Sequence, residues 1–270
     1  MNKKYIDNHV HSTNSHDGKS SITDYINAME DKNIEKITFT EHYDIYDGIK
    51  TNLKTIDMES YYKNYLEAKA KTDKNINFGL EIGLQPHIKK QVSELTDKYP
   101  FDFIIGSSHI TCGKDIAMDN SFFDNLTREE AYLKYFKEVL QNIKTFDEFD
   151  VYGHIDYIVR YGGFPNKYID YLEFKDILDE ILTTLIKKDK GIEVNTSGFR
   201  YNINNPHPNI KIIKRYKELG GKIITIGSDA HNTNDLAKNF DDVFEILESC
   251  GFNEYTTFKN RTPQFVKIKK

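Results

Sequence analysis

Tyr5-Ile6-Asp7-Asn8-His9-Val10-His11 opens the chain, and its reading sets the terms for everything after it. The run is short, mixes Tyr, Ile and Val with polar residues, and closes on two histidines at positions i and i+2. In a strand such positions project from one face, so the two imidazoles can share one ion. Asp7 lies on that face too and could orient a ligand from behind. Gly227-Ser228-Asp229-Ala230-His231 repeats the spacing far along the chain, after another apolar run. Between the two stand Thr40-Glu41-His42, Gly79-Leu80-Glu81, Ser108-His109 and Gly153-His154-Ile155-Asp156, each at the end of an apolar run. Neutral imidazole and ionised carboxylate suit Zn, Mn and Fe(II). An ion with an open position makes hydroxide from water near neutral pH. The pattern therefore predicts a multinuclear metal centre assembled from most of the chain's length.

Working outward, the apolar runs predict strands at Tyr5–His9, Lys36–Phe39, Phe78–Ile82, Phe101–Ile105, Val151–His154, Ile192–Asn195 and Lys222–Ile226. Helical spacing predicts helices over Ser21–Asp31, Thr127–Lys144, Tyr171–Lys187 and Pro208–Leu219. The second of these starts on a capping box, and the last stops at Gly220-Gly221. Strands alternating with helices argue an α/β fold, a parallel TIM-like barrel. In such barrels the active site sits at the C-terminal ends of the strands, where every motif above falls. A lone histidine there is more often a hydrogen-bonded structural residue; six strands converging on one rim are not. No polar linker is long enough to divide the chain, so residues 1–270 read as a single domain. The segment Phe252–Ile268 reads as irregular or as a small β extension.

Composition narrows the function. The chain has 270 residues and a net charge of -5, from 37 basic and 42 acidic residues. Its lysines are dispersed, unlike the clustered basic face of a nucleic-acid binder, so no nucleic-acid partner is expected. Lys267-Ile268-Lys269-Lys270 is a short basic tail and nothing more. Two cysteines, Cys112 and Cys250, cannot make a disulfide framework. The N-terminus lacks an apolar signal core and no run has the length of a membrane span. A soluble, cytoplasmic chain with no membrane partner is the expectation. No feature of the sequence specifies an oligomeric state.

Asp7-x-His9-x-His11-Ser12, Thr40-Glu41-His42, Gly79-x-Glu81, Gly106-Ser107-Ser108-His109, Gly153-His154-x-Asp156 and Gly227-Ser228-Asp229-Ala230-His231 resemble the motifs of the PHP (polymerase and histidinol phosphatase) family, in the family's order. The chain length and the stretch Glu193-Val194-Asn195-Thr196-Ser197-Gly198-Phe199-Arg200 resemble its stand-alone histidinol-phosphatase branch. The resemblance implies a distorted (β/α)7 barrel carrying three divalent metal ions, Mn, Zn or Fe. It implies hydrolysis of a small-molecule phosphate ester, L-histidinol phosphate, in histidine biosynthesis. Carried over position by position, it puts His9, His11, Glu81 and Asp229 on the first ion. Glu81 bridges to a second, completed by His109 and His154; His42, His231 and a residue of the loop after His11 hold the third. Relatives often carry histidine six positions after the second motif histidine. Here Asp17 stands at that register and His16 one position earlier. Register favours Asp17, and an oxygen ligand tilts that ion toward Mn or Fe(II). Asp7 and Asp156 would orient ligands from behind.

The chemistry then expected is in-line attack on phosphorus by a hydroxide bridging two metals. The leaving oxygen takes its proton from Asp17 or from water beside His231. Arg160 and Arg200 follow strand ends and either hold the phosphate by their forked donors or lie on the surface. His87 and His207, in Pro-flanked loops, are expected to be exposed. Cys112 lacks the arginine of a tyrosine-phosphatase loop, since Met118 stands six residues on. No Gly-x-Ser-x-Gly elbow and no Walker loop occurs. Two rival readings stay open: a PHP phosphodiesterase or nuclease, and a metal-binding subunit that no longer turns over.

Overall fold

The computed structural model describes residues 4–49, 51–201 and 203–268. Met1–Lys3 and Lys269–Lys270, and with them the end of the basic tail, lie outside the described residues. A seven-stranded parallel sheet runs in chain order β1 to β7. The strands are β1 (Tyr5–Val10), β2 (Ile34–Tyr43), β3 (Asn75–Gly83), β4 (Phe103–Ser107), β5 (Val151–Tyr152), β6 (Gly191–Asn195) and β7 (Ile224–Gly227). Helices α1 (Ile22–Ala28), α2 (Met58–Lys69), α3 (Lys89–Lys98), α4 (Arg128–Thr145), α5 (Lys175–Lys187), α6 (Ile210–Glu218) and α7 (Phe240–Ser249) pack around it. This is the expected (β/α)7 arrangement, a nearly closed TIM-like barrel.

All seven expected strands are present. β2 is longer than its apolar run suggests, so His42 lies inside the strand rather than after it. β5 is shorter, and His154 stands two residues beyond its end. Three helices, α2, α3 and α7, add to the four expected. The capping box at α4 is made by Thr127 and Glu130.

Strand alternation builds both the core and the site. On β3, Ile76, Phe78, Leu80 and Ile82 face the helices and are buried among Tyr61, Tyr65 and their neighbours. The intervening Asn77, Gly79, Glu81 and Gly83 face the barrel interior. The lower interior is apolar, a cluster of Phe103, Ile105, Val151 and Phe258. The upper interior is polar and carries the histidines.

Phe258 reaches that cluster from the chain's end. Residues 252–268 form an antiparallel hairpin of β8 (Glu254–Lys259) and β9 (Thr262–Lys267). It plugs the N-terminal mouth of the barrel. Phe258 stacks on Phe103 at 4.9 Å, Asn77 donates to the Phe258 carbonyl at 2.9 Å, and Arg261 pairs with Asp150 at 2.6 Å. The hairpin also fills the lower half of the seam between β1 and β7. There the Ile224 N–H donates to Thr256 Oγ1 at 3.2 Å, and Thr257 Oγ1 donates to Asn8 Oδ1 at 2.9 Å. The upper half closes by backbone: Asp229 N donates to His9 O and His11 N to Ala230 O, both at 2.9 Å.

Candidate metal centre

The C-terminal mouth gathers every ligand named from sequence. Register places His42 opposite Glu81 across β2 and β3, so Glu81 stands where three sets of imidazoles meet. Its Oε1 accepts from Ser107 Oγ at 2.7 Å and lies 2.8 Å from His154 Nε2 and 3.3 Å from His109 Nε2. Its Oε2 faces His42 Nδ1 at 2.9 Å, His9 Nε2 at 3.3 Å and His11 Nε2 at 3.5 Å. Asp229 brings Oδ1 within 3.3 Å of His11 Nε2 and 3.7 Å of His9 Nε2. It does so from a left-handed backbone, φ 54°, which aspartate tolerates better than most residues and which often marks a functional site.

At the outer edge, Asp17 Oδ2 lies 3.0 Å from His231 Nε2 and 3.6 Å from His42 Nε2. His16 lies 4.0 Å from Asp17 Oδ2, and its ring packs against that of His42 at 5.6 Å without bringing a nitrogen toward His231. Of the two residues left open by the sequence, Asp17 is the one that faces both histidines.

The donor set fits cations. Imidazole Nε2 atoms face each other in pairs: His9 with His11 at 2.9 Å, His109 with His154 at 3.4 Å, and His42 with His231 at 3.4 Å. Two imidazoles can satisfy such a contact with one proton or one metal between them. Glu81 Oε2, though buried, makes no sound hydrogen bond. Three groups can each gather donor atoms around one point: His9, His11 and Asp229; His42, Glu81 and His109; His11, His42 and His231.

The electrostatics agree. Burial alone would push the Glu81 carboxyl up, but His9, His109 and His42 hold it well below the usual carboxylate range. Burial alone would lower His9, yet Glu193, Glu81 and Asp229 hold it well above the usual histidine value. His109 is pulled down by burial and up by Asp44 and Glu81, to about 10. These carboxylates create a field that calls for positive charge at the rim.

Two carboxylates that the sequence reading passed over orient the imidazoles. Glu193 Oε1 accepts from His9 Nδ1 at 2.5 Å, while its Oε2 accepts from the His154 N–H at 3.1 Å. Asp44 Oδ1 accepts from His109 Nδ1 at 3.0 Å. Each fixes which ring nitrogen is free for a metal. Glycine makes room for them: a Cβ on Gly227 would sit 2.4 Å from Glu193 Oε1. The expected orienting residues act differently. Asp7 accepts backbone N–H groups of Ser228 and Ala237 at 2.9 Å and of His9 at 3.3 Å, so it pins ligand-bearing backbone. Asp156 turns away from the centre toward His207 and the Asn209 N–H.

His207 overturns its expectation. It is fully buried, because Asp156 and Arg160 hold it from either side and its backbone pairs with Asn195. Burial holds it below the usual histidine range, against the pull of Asp156. His87 is exposed, as expected.

The histidines floor a cavity of roughly 440 Å³ whose wall includes Arg160, Arg200, Tyr157, Tyr161 and Asp115. The Arg160 side chain is 5% exposed there and its Nη2 lies 3.6 Å from Asp229 Oδ2. Arg200 Nη2 donates to the carbonyls of Ser228 and Asp229 at 2.9 Å, and its Nη1 is buried with no partner among the described residues. No helix among the described residues is long and apolar enough to cross a membrane.

A parallel barrel with a carboxylate-bridged histidine rim over an arginine-walled cavity defines a metal-dependent hydrolase of phosphoesters. The chain belongs to the PHP domain family, whose sequence profile matches residues 7–197. Among curated relatives, "Probable histidinol-phosphatase" of Clostridium acetobutylicum is 35% identical over 91% of this chain and 93% of its own. "Histidinol-phosphatase" of Lactococcus lactis is 31% identical over 94% of each. The crystal structure of the Lactococcus lactis histidinol phosphate phosphatase, complexed with Zn, L-histidinol and phosphate, superposes with a TM-score of 0.86. It is 30% identical and covers 97% of this chain and 99% of that one.

Proposed function

We propose that this chain, residues 1–270 acting as one unit in the reducing cytosol, hydrolyses L-histidinol phosphate to L-histidinol and phosphate. The observation that carries the reading is Glu81 standing between three converging sets of histidines, on the floor of a cavity walled by two arginines. The substrate follows from relatives named for that activity across nearly the whole chain.

His9, His11, Glu81 and Asp229 would hold one ion, Glu81, His109 and His154 a second, and Asp17, His42 and His231 a third. The mixed nitrogen and oxygen donors suit Mn, Zn or Fe(II). When bound, such ions supply positive charge against the phosphate oxygens and acidify water near neutral pH. The chain's own residues do the rest. Arg160 offers a planar fork to the phosphate dianion, and Arg200 lines the same wall. Glu193 and Asp44 keep His9 and His109 in the tautomer whose lone pair faces the floor. Although burial opposes it, the His231 and His42 contacts hold the Asp17 carboxyl far below the usual range. Its Oδ2 stands 3.0 Å from His231 Nε2 and 3.6 Å from His42 Nε2, so we assign it as a ligand of the third ion. Tyr157 and Tyr161 add apolar ring surface to the wall beside the arginines.

The test is phosphate release from L-histidinol phosphate by Mn-loaded protein, beside p-nitrophenyl phosphate and bis(p-nitrophenyl) phosphate. Strong preference for histidinol phosphate is expected. Faster cleavage of the diester would replace the monoesterase by a phosphodiesterase, and bound metal without any hydrolysis would make the chain a non-catalytic metal protein.

A further inference from the structure

Arg160 is held by four neighbours besides Asp229, whose Oδ2 lies 3.6 Å from its Nη2. Its guanidinium lies over the rings of Tyr157 at 4.7 Å and Tyr201 at 4.3 Å. Its Nη2 donates to Ser197 Oγ at 2.5 Å, and Ser197 is itself tied to Asn195 Oδ1 at 2.5 Å. Its Nε donates to His207 Nε2 at 3.0 Å. That last contact needs His207 as an acceptor, which an imidazole is at one nitrogen only, and only when neutral. Asp156 makes the choice: its Oδ1 accepts from His207 Nδ1 at 2.5 Å, leaving Nε2 bare for the arginine. Its Oδ2 accepts from the Asn209 N–H at 2.8 Å, which anchors the carboxylate.

We infer that His207, set by Asp156, is a positioning residue that locks Arg160 by its Nε edge so that the outer edge of the guanidinium is presented to the substrate's phosphate. The inference rests on the phosphate role given to Arg160 above. Arginine has a long side chain whose freedom would otherwise be lost when phosphate binds. Here that freedom is lost on folding, and the fork waits in place. Asp156 is not replaceable by its amide, because both of its oxygens accept and asparagine can offer only one acceptor.

The experiment compares the full-length, Mn-loaded protein with H207F, H207Q, D156N, R160A and the double variants R160A/H207F and R160A/D156N. It reads the Ki for inorganic phosphate, the KM for L-histidinol phosphate, bound metal and thermal midpoint. H207F is expected to raise both constants by roughly 10- to 100-fold, the scale on which supporting partners of a site act, with bound metal unchanged. H207Q keeps an acceptor and recovers most of the loss; D156N raises both constants as H207F does. In the R160A background neither H207F nor D156N adds a further loss, which a purely structural role would not produce. Should H207F fail to fold, D156N carries the same comparison. A loss of equal size with and without Arg160, or a folded H207Q as weak as H207F, overturns the inference and leaves the phosphate role of Arg160 standing. An R160A variant with unchanged Ki and KM removes that role and the inference together.

Discussion

Glu193 is the residue whose replacement tests the centre most directly, and glutamine is the replacement to make. Glu193 is buried with 1% of its surface exposed. Its Oε1 accepts from His9 Nδ1 at 2.5 Å and its Oε2 from the His154 N–H at 3.1 Å and Asn195 Nδ2 at 3.2 Å. Every partner is a donor. Glutamine has the same shape but one acceptor and two donors. With its oxygen toward His9, its NH2 meets the His154 N–H; turned over, it meets His9 Nδ1–H and drives His9 to the tautomer whose Nε2 carries the proton. Either a buried N–H loses its partner, at about 1–3 kcal/mol, or the first metal loses its histidine lone pair. Supporting partners of metal-bound histidine are worth roughly 10- to 100-fold in affinity, or about 1.4–2.8 kcal/mol. E193Q should therefore fold, yet bind one ion 10- to 100-fold more weakly by this estimate and lose phosphatase activity in step. Metal per chain, measured after dialysis against graded chelator, checks it. An E193Q protein with wild-type metal retention would refute the role of Glu193 as the group that fixes His9.

Three further outcomes follow from the same geometry. A Cβ on Gly83 would lie 1.9 Å from Asp44 Oδ1, so G83A should push Asp44 off His109 and weaken the ion held there roughly 10- to 100-fold; unchanged metal stoichiometry under chelator would count against it. Truncating Phe258, 3% exposed and stacked on Phe103, should cost about 3–5 kcal/mol in urea unfolding while leaving metal content intact, since the plug and the rim are at opposite mouths. In protein stripped of metal, burial pulls His109 down but Asp44 and Glu81 raise it to about 10. Its protonation stabilises fully below about pH 6.5 and is lost as pH rises through the raised value. The melting temperature of stripped protein should thus fall from neutral pH toward about 10, whereas loaded protein should shed its ions as pH drops and protons compete. A stripped protein that gains stability on that upward titration would sink the argument.

The seven strands were legible because each carries a compact apolar run, and the ligands because all but Asp17, which was placed by its register after His11, stand at or near the end of one. What the sequence hides is what lies between strands. Glu193 and His9 are 184 residues apart and Asp44 and His109 are 65 apart, so neither pairing has a local signature. Alternation on β6, with Asn195 two positions on, was the available hint for Glu193. His207 sits in a loop whose prolines and asparagines read as surface; its burial comes from Asp156, Arg160 and the backbone of Asn195, none of them near it in sequence. Helix α2 buries Met58, Tyr61, Tyr65 and Ala68, a stripe carried by tyrosine and alanine rather than by aliphatic residues, and so is weak in hydropathy. The final hairpin resembles an extension until Phe258 is seen inside the barrel.

The seam between β1 and β7 brings together the first and the last strand of the barrel. Its only direct main-chain ties among the described residues are Asp229 to His9 and Ala230 to His11, and three of these four residues, His9, His11 and Asp229, would share an ion. The ring is thus fastened at the metal centre, so that an ion held by His9, His11 and Asp229 would act as a clasp as well as a reagent. Amide exchange at His11 and Asp229 should accordingly keep time with metal loss, making occupancy of the centre and closure of the ring one event seen from two sides.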